Sequence, residues 1–76
     1  MEDLFSTSLA INGRTVPYHV HFDREAYIFA AQEEGAEHPR FVLRRAHDAW
    51  EGEEHLDPAV RQQAVEALDR YLLRQH

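Results

Sequence analysis

Apolar and polar residues alternate strictly along the segment from Arg14 to Phe22. The apolar side chains occupy the even positions: Val16, Tyr18, Val20 and Phe22. The odd positions hold Thr15, Pro17, His19 and His21. A period of two is typical of a β-strand with one buried face. The dipeptide Asn12-Gly13 before this segment favours a two-residue type I′ turn, which predicts a hairpin between residues 4–11 and 14–22.

The predicted turn also sets which residues of the two strands face each other. The expected pairs are Ile11 with Arg14, Leu9 with Val16, Thr7 with Tyr18 and Phe5 with Val20. In this register both strands place apolar side chains on one face, as a hairpin that covers a core must do. The opposite, outer face receives the other side chains of the first strand: Leu4, Ser6, Ser8 and Ala10.

Two further strands are predicted along the chain. The stretch 23–26 indicates a second tight turn into a strand over residues 26–32. This turn pairs Phe22 with Tyr27, Val20 with Phe29 and Tyr18 with Ala31. After a charged connector at 33–39, residues 40–46 are expected to form the fourth strand, with Phe41 and Leu43 facing the core.

Pro17 is the residue that conflicts with this sheet. Its backbone is expected to point toward the third strand opposite Gln32, and proline has no N–H to donate there. Three explanations are open: pairing with the third strand stops at this point, a β-bulge intervenes, or residues 14–22 form an edge strand. We favour the first explanation.

The C-terminal segment predicts an amphipathic helix over residues 58–75. Asp57 offers a side-chain acceptor at the N-cap, and Pro58 suits the first helical position. Apolar side chains then recur along one arc of the helix: Val60, Ala64, Ala67, Leu68, Tyr71 and Leu72. An acidic linker at 47–56 joins the fourth strand to this helix, and its Trp50 is expected to close one end of the core.

These elements predict an α+β fold over residues 1–76. We expect a two-layer ββββα domain, in which the C-terminal helix packs on one face of a four-stranded antiparallel meander. A chain of 76 residues builds one small core, and the absence of cysteine excludes disulfides, thiolate zinc sites and cysteine nucleophiles. The plan is similar to that of small bacterial domains with a meander, a Trp-containing linker and a helix, a likeness of architecture alone that implies no site residues.

The net charge and the hydropathy of the chain limit the classes of partner that we expect. The formal net charge is −6, and all 8 basic residues are arginine. Phosphate backbones repel an acidic domain, so a nucleic-acid partner is not expected. The chain has no apolar run near about 18 residues and no segment patterned like a signal peptide. We therefore expect no membrane partner and a cytoplasmic location.

Six histidines suggest two candidate metal sites. His19 and His21 share a strand face about 6.5 Å apart along the strand, but their predicted neighbours offer no third ligand. The second set lies in the linker: His47, Asp48, Glu51 and His55. Its side chains are of types that bind zinc or a hard cation. Ordinary surface roles explain both sets more simply, so neither a metal nor another cofactor is expected.

Catalysis is not expected from this sequence. Ser6 is predicted to meet His19 across the first two strands, but the chain contains no Gly-x-Ser-x-Gly turn and no phosphate-binding loop. A single helix on a sheet also leaves little room for a deep pocket. We therefore expect a protein that is not an enzyme.

The outer face of the predicted sheet is semi-apolar and locally basic, and no carboxylate is expected on it. We predict an interaction face there: Leu4, Pro17, His19, His21, Ile28, Ala30, Arg40, Val42 and Arg44. Such a face favours a non-enzymatic interaction or regulatory module, either a homodimer packed sheet on sheet or a subunit that binds an acidic protein. The residues are equally compatible with an ordinary solvent-facing sheet surface.

Two other functions stay open at this point. One is a metal-binding domain that uses the histidine and carboxylate sets. The other is an acidic inhibitor, in which carboxylates of the 33–37 loop and the 47–57 linker imitate nucleic-acid phosphates. The second function requires those carboxylates to lie on one surface.

Overall fold

The computed structural model of the chain describes residues 2–53 and 55–74. Within them lie five strands and one helix: β1 (Glu2–Ile11), β2 (Arg14–Asp23), β3 (Ala26–Ala31), β4 (Arg40–Ala46), β5 (Ala49–Gly52) and α1 (Pro58–Arg74). The strands form one antiparallel meander in the order β1-β2-β3-β4-β5. Apolar residues of α1 join the core cluster on one face of the sheet, so the predicted α+β class with a C-terminal helix is confirmed.

The C-terminal end of the helix and its capacity to span a membrane can be compared with the prediction. Its predicted last residue, Gln75, lies outside the described residues. No helix in the described part of the chain is long and apolar enough to cross a membrane.

The predicted linker at 47–56 contains strand β5, so the expectation of four strands is wrong by one. The chain turns back after β4 through His47-Asp48, and Arg45 pairs with Trp50. His47 takes a left-handed φ of 57° in this turn. Histidine adopts this conformation only occasionally, so the residue type did not predict a turn here. Trp50 lines the core from this edge strand and is 8% exposed.

The register of both predicted hairpins is confirmed. Between β1 and β2 the pairs include Ile11–Arg14, Leu9–Val16, Thr7–Tyr18 and Phe5–Val20. Between β2 and β3 they include Phe22–Tyr27, Val20–Phe29 and Tyr18–Ala31. Asn12 and Gly13 have φ values of 50° and 77°, as a type I′ turn requires. A two-residue turn and an alternating pattern together are thus sufficient to set the register.

The second hairpin uses a turn whose residue types are unfavourable. Arg24 and Glu25 adopt left-handed φ values of 51° and 61°, and this region costs a residue other than glycine roughly 1 kcal/mol or more. We expect Arg24→Asn with Glu25→Gly to raise the free energy of unfolding by about 1 kcal/mol, because Asn-Gly suits the same turn. Urea unfolding measures the gain. Arg24→Ala with Glu25→Ala removes the same charges and should give no gain, so equal gains in both variants would contradict the steric explanation.

The structure resolves the conflict at Pro17. β3 ends at Ala31, one residue before the position opposite Pro17. The N–H of Gln32 still donates to the Pro17 carbonyl oxygen at 2.9 Å, a bond that needs no N–H from proline. On its other side Pro17 faces Ser8, where the alternation of the ladder requires no backbone hydrogen bond. The favoured explanation, that pairing with the third strand stops at Pro17, is confirmed.

A β-bulge changes the start of β1. The register shifts between Asp3 and Phe5, so that Asp3 pairs with His21 while Phe5 pairs with Val20. Leu4 is the extra residue, and it packs against the core as Phe5 does. The expectation that Leu4 lies on the outer face is therefore wrong, and Asp3 takes an outer position instead.

Helix α1 begins where predicted and reaches both edges of the sheet. The Asp57 carboxylate accepts a backbone N–H of the first turn at 2.8 Å. The Gln63 amide accepts from the N–H of Ala10 at 2.8 Å and donates to the carbonyl of the same residue at 2.9 Å. Arg61 donates to the carbonyl of Trp50 in β5. Polar side chains of α1 therefore bond to the backbone of both edge strands, β1 and β5.

Candidate interaction surfaces

The face of the sheet turned away from α1, the outer face, presents its side chains in rows across the strands. One row consists of Ser6, His19, Ala30 and Arg40, and the next consists of Asp3, His21, Ile28 and Val42. The outer face carries every predicted interaction residue except Leu4: Pro17, His19, His21, Ile28, Ala30, Arg40, Val42 and Arg44.

The apolar centre of the outer face is narrow. Ile28 is only 5% exposed, because His21 and Val42 flank it in register. Among the described residues the large apolar side chain left exposed is Leu73 of α1, at 79%. The outer face is therefore a shallow surface of small and polar side chains around Ile28.

Carboxylates also lie on the outer face, contrary to the expectation of none. The bulge in β1 places Asp3 opposite His21. Strand β5 places Glu51 opposite Arg44. Asp23 extends β2 by one residue beyond its predicted end. The charges are only partly separated across the face: its arginines lie on β4, Asp3 and Asp23 lie on β1 and β2, and Glu51 lies on β5 beside Arg44.

His19 forms a hydrogen-bonded array with Ser6 and Asp3 on the outer face. Its Nδ1 lies 3.3 Å from the Ser6 hydroxyl oxygen, and its Nε2 lies 3.0 Å from Oδ1 of Asp3. The hairpin register predicts the contact with Ser6, whereas Asp3 joins only through the bulge. The array lies on an open strand surface, where 78% of the Asp3 side chain is exposed. Acyl transfer needs enclosed, preorganised donors around the nucleophile, so we interpret the array as a surface network that orients His19.

The two candidate metal sets are not gathered into sites. The rings of His19 and His21 lie side by side with centroids 6.2 Å apart. The second set is spread over the β4–β5 turn, β5 and the segment after it: His47, Asp48, Glu51 and His55. Within residues 2–53 and 55–74, no group of three or more His, Cys, Asp or Glu side chains is arranged to hold a metal ion.

The 33–37 loop and the turn at the start of the 47–57 stretch lie at opposite ends of the sheet. The 33–37 loop follows β3 near the β1–β2 turn, where Glu33 accepts a hydrogen bond from Arg14 at 2.9 Å. The turn that contains Asp48 lies at the other end of β4. Asp48 is therefore separated from the carboxylates of the 33–37 loop.

A groove, the β5–α1 groove, opens between β5 and the N-terminal half of α1. Its volume is about 930 Å³. Apolar side chains contribute to its lining: Trp50, Leu56, Pro58 and Val65. Charged residues also border it: Glu51, Glu53, Glu66 and Arg61. Residues of β5 form one wall of the groove. Because the sequence predicted a linker at 47–56 and no strand, it did not predict the groove.

The wall formed by β5 is the edge of a strand. Because a two-residue turn joins β4 to β5, the alternation of the ladder directs the backbone groups of Trp50 and Gly52 away from β4. Arg61 donates to the Trp50 carbonyl. The N–H and C=O of Gly52 point away from β4, toward the groove that Gly52 lines. A Cβ at Gly52 would lie 2.7 Å from Cδ2 of Leu43. Glycine at this position therefore lets β5 pack closely over the buried Leu43.

No protein-family model, no curated protein and no solved structure matches the chain. Two surfaces are then the candidates for function: the outer face, which the sequence predicts, and the β5–α1 groove, which only the fold creates.

Proposed function

We propose that the chain is a cytoplasmic, non-enzymatic protein-interaction module that forms a homodimer through the outer face. The observation that carries this proposal is a separation of charge about β3. On one side of β3 the outer face carries Asp3 and Asp23, and on the other side β4 carries Arg40 and Arg44. Glu51 of β5 lies on the arginine side, opposite Arg44. A face with opposite charges on its two sides complements itself when a second copy is related to it by a two-fold axis.

A two-fold axis along β3 brings these charges together. Asp23 pairs with Ala26. The last pair between β3 and β4 is Tyr27–Leu43, and one further step of the same register would set Arg44 beside Ala26. Asp23 and Arg44 thus flank one residue of β3, each on a strand about 4.8 Å away. A second copy, packed face to face at about 10 Å, places each Asp23 opposite the Arg44 of the other copy.

The same axis accounts for the neighbouring polar residues. It sets His19 of one copy opposite Arg40 of the other, because both flank Ala30 in register. Asp3 lies 3.0 Å from Nε2 of His19 and supplies a negative charge beside that contact. Ala26 and Ala30 in the centre are small enough to let the two sheets approach closely.

Charge reversal tests the homodimer. Asp23→Arg alone or Arg44→Asp alone would set like charges opposite each other at two symmetric positions, so we expect each to weaken self-association by about tenfold or more. The double variant Asp23→Arg with Arg44→Asp restores opposite charges and should recover most of the affinity. Sedimentation equilibrium from micromolar to millimolar protein measures the dissociation constant.

Arg70→Glu is the matched control, because it reverses an exposed charge on α1, away from the outer face. Its dissociation constant should equal that of the wild type. A wild type that stays monomeric at millimolar concentration would contradict the homodimer, and so would a double variant no stronger than the single ones. Binding of an acidic protein through the same residues, without self-association, would assign the outer face to a different partner.

A further inference from the structure

We propose that the β5–α1 groove binds an extended, basic peptide segment, which adds to β5 as a sixth strand of the sheet. The groove lies at an edge of the sheet, outside the contact proposed for the homodimer. Peptide binding at the groove and dimerisation through the outer face can therefore be tested separately.

Helix α1 packs more closely against the β1 edge of the sheet than against the β5 edge. At β1 the helix closes in, because Gln63 binds both backbone groups of Ala10 and Tyr71 stacks on Phe5 with ring centroids 4.7 Å apart. At β5 the helix stands back and leaves a groove of about 930 Å³. Arg61 occupies the Trp50 carbonyl, but the rest of the β5 edge beside the groove stays open, and an open strand edge next to a helix is the arrangement in which extended peptides add to a sheet.

The backbone of β5 provides a place for such a strand to pair. The N–H and C=O of Gly52 point away from β4, as the two-residue turn before β5 requires. An added strand can donate to that carbonyl and accept from that N–H, which would continue the antiparallel ladder by one strand. β5 has four residues, so the added segment need span only about 13–20 Å.

The two faces of an added strand would meet different surroundings. Alternate side chains of a strand point to opposite faces, so every second side chain of the segment would point toward α1. There it meets Leu56, which is 5% exposed, and the half-buried Val65. The segment is therefore expected to carry apolar residues at every second position.

The charge of the groove selects a basic segment. Three glutamates are among the residues that border it: Glu51, Glu53 and Glu66. Arg61 is the cation that lines it among the described residues, and its guanidinium is directed to the Trp50 carbonyl. Arginine or lysine at the positions between the apolar ones would point away from α1, to the side of β5 on which Glu51 lies, while Glu66 of α1 adds negative charge on the other side of the groove.

The probe is a fluorescent hexapeptide of alternating arginine and valine with blocked ends, titrated into the full chain and followed by anisotropy. We expect saturable binding by the wild type. A peptide with glutamate in place of arginine should bind about tenfold more weakly or worse, because its charge is reversed. The Arg/Val peptide with N-methylated backbone should also lose about tenfold or more, because it can no longer donate to β5.

Variants of the chain locate the site. Glu53→Arg with Glu66→Arg is expected to weaken binding of the Arg/Val peptide by about tenfold or more. The control, Glu25→Arg with Glu34→Arg, makes the same change in net charge at exposed positions outside the groove lining and should stay within about twofold of the wild type. On binding, the Gly52 amide should gain protection from hydrogen exchange. Asp23→Arg, which targets the proposed homodimer, should bind the peptide as the wild type does.

Several results would overturn the proposal. They are absence of saturable binding at millimolar protein, equal binding of the glutamate or N-methylated peptide, and equal losses in the two double variants. Concentration-dependent changes at the Gly52 amide without any peptide would assign the β5 edge to a second copy of the chain instead.

Discussion

Phe41→Ala is expected to lower the free energy of unfolding by about 3–5 kcal/mol, the usual loss when a buried phenylalanine ring is removed. Phe41 is 1% exposed and stacks on Phe29, with ring centroids 4.8 Å and planes 9° apart. The edge of Tyr18 packs against it at 5.6 Å between centroids. Alanine would therefore remove contacts that join β4 to β3 and β2 at once and leave a cavity in the centre of the core.

The expected loss is large for a chain of 76 residues. Domains are typically stable by about 0.05–0.15 kcal/mol per residue, so the substitution would remove a large fraction of the total stability. Phe41→Leu keeps part of the volume and gives a second measurable transition if the alanine variant does not fold. Leu73→Ala is the control, because Leu73 is 79% exposed and should change stability by less than about 0.5 kcal/mol.

Urea unfolding, followed by the fluorescence of Trp50, measures these differences. A loss below about 1 kcal/mol for Phe41→Ala would mean that the aromatic cluster does not hold the sheet together. A loss in Leu73→Ala as large as that in Phe41→Ala would point to a contact at α1 that the isolated chain does not show.

Tyr18→Phe is expected to lower the free energy of unfolding by about 1–3 kcal/mol near neutral pH. The Tyr18 hydroxyl donates to the carbonyl oxygen of His38 at 2.6 Å, and the side chain is fully buried. Phenylalanine keeps the ring contacts with Phe29 and Phe41 but leaves the His38 carbonyl without this donor. Urea unfolding of the two proteins therefore measures how strongly the 32–39 loop is attached to the core.

The same two proteins should differ in their pH dependence. Burial raises the pKa of Tyr18 above its ordinary value of 10.0, and the negative charge of Glu33 raises it further. Above about pH 10 the unfolded chain releases this proton while the folded protein keeps it, so stability falls as the pH rises. From about pH 9 upward the wild type should progressively lose part of its advantage over Tyr18→Phe. Parallel stability curves across this range would contradict a raised pKa.

The two hairpins could be predicted because their determinants are local. Asn12-Gly13 specifies a turn type, and the alternation of apolar residues on both sides selects one register. The turn at Arg24-Glu25 has no glycine, yet the flanking pattern of Tyr18, Val20 and Phe29 was sufficient to align the strands. In both hairpins the interacting residues are close neighbours along the chain.

Strand β5 and its groove could not be predicted in this way. The sequence Ala-Trp-Glu-Gly contains residues that are depleted in strands. Its position is secured by tertiary contacts: the Trp50 indole N–H donates to Asp69 of α1 at 3.2 Å, and the Arg45 guanidinium lies 5.1 Å from the centre of the Trp50 ring. The binding surface at Gly52 was missed because the strand that forms it was missed.

The sequence by itself determined the alternation of the first three strands, their register, the stop at Pro17 and the start of α1 at Pro58 after its N-cap Asp57. Only the tertiary structure decided which face Asp3 occupies and which sheet edge is covered. The physical reason is distance along the chain. Turns and period-two patterns act between neighbours, whereas the contact of Gln63 with Ala10 joins residues 53 positions apart and forms only when α1 packs against the sheet.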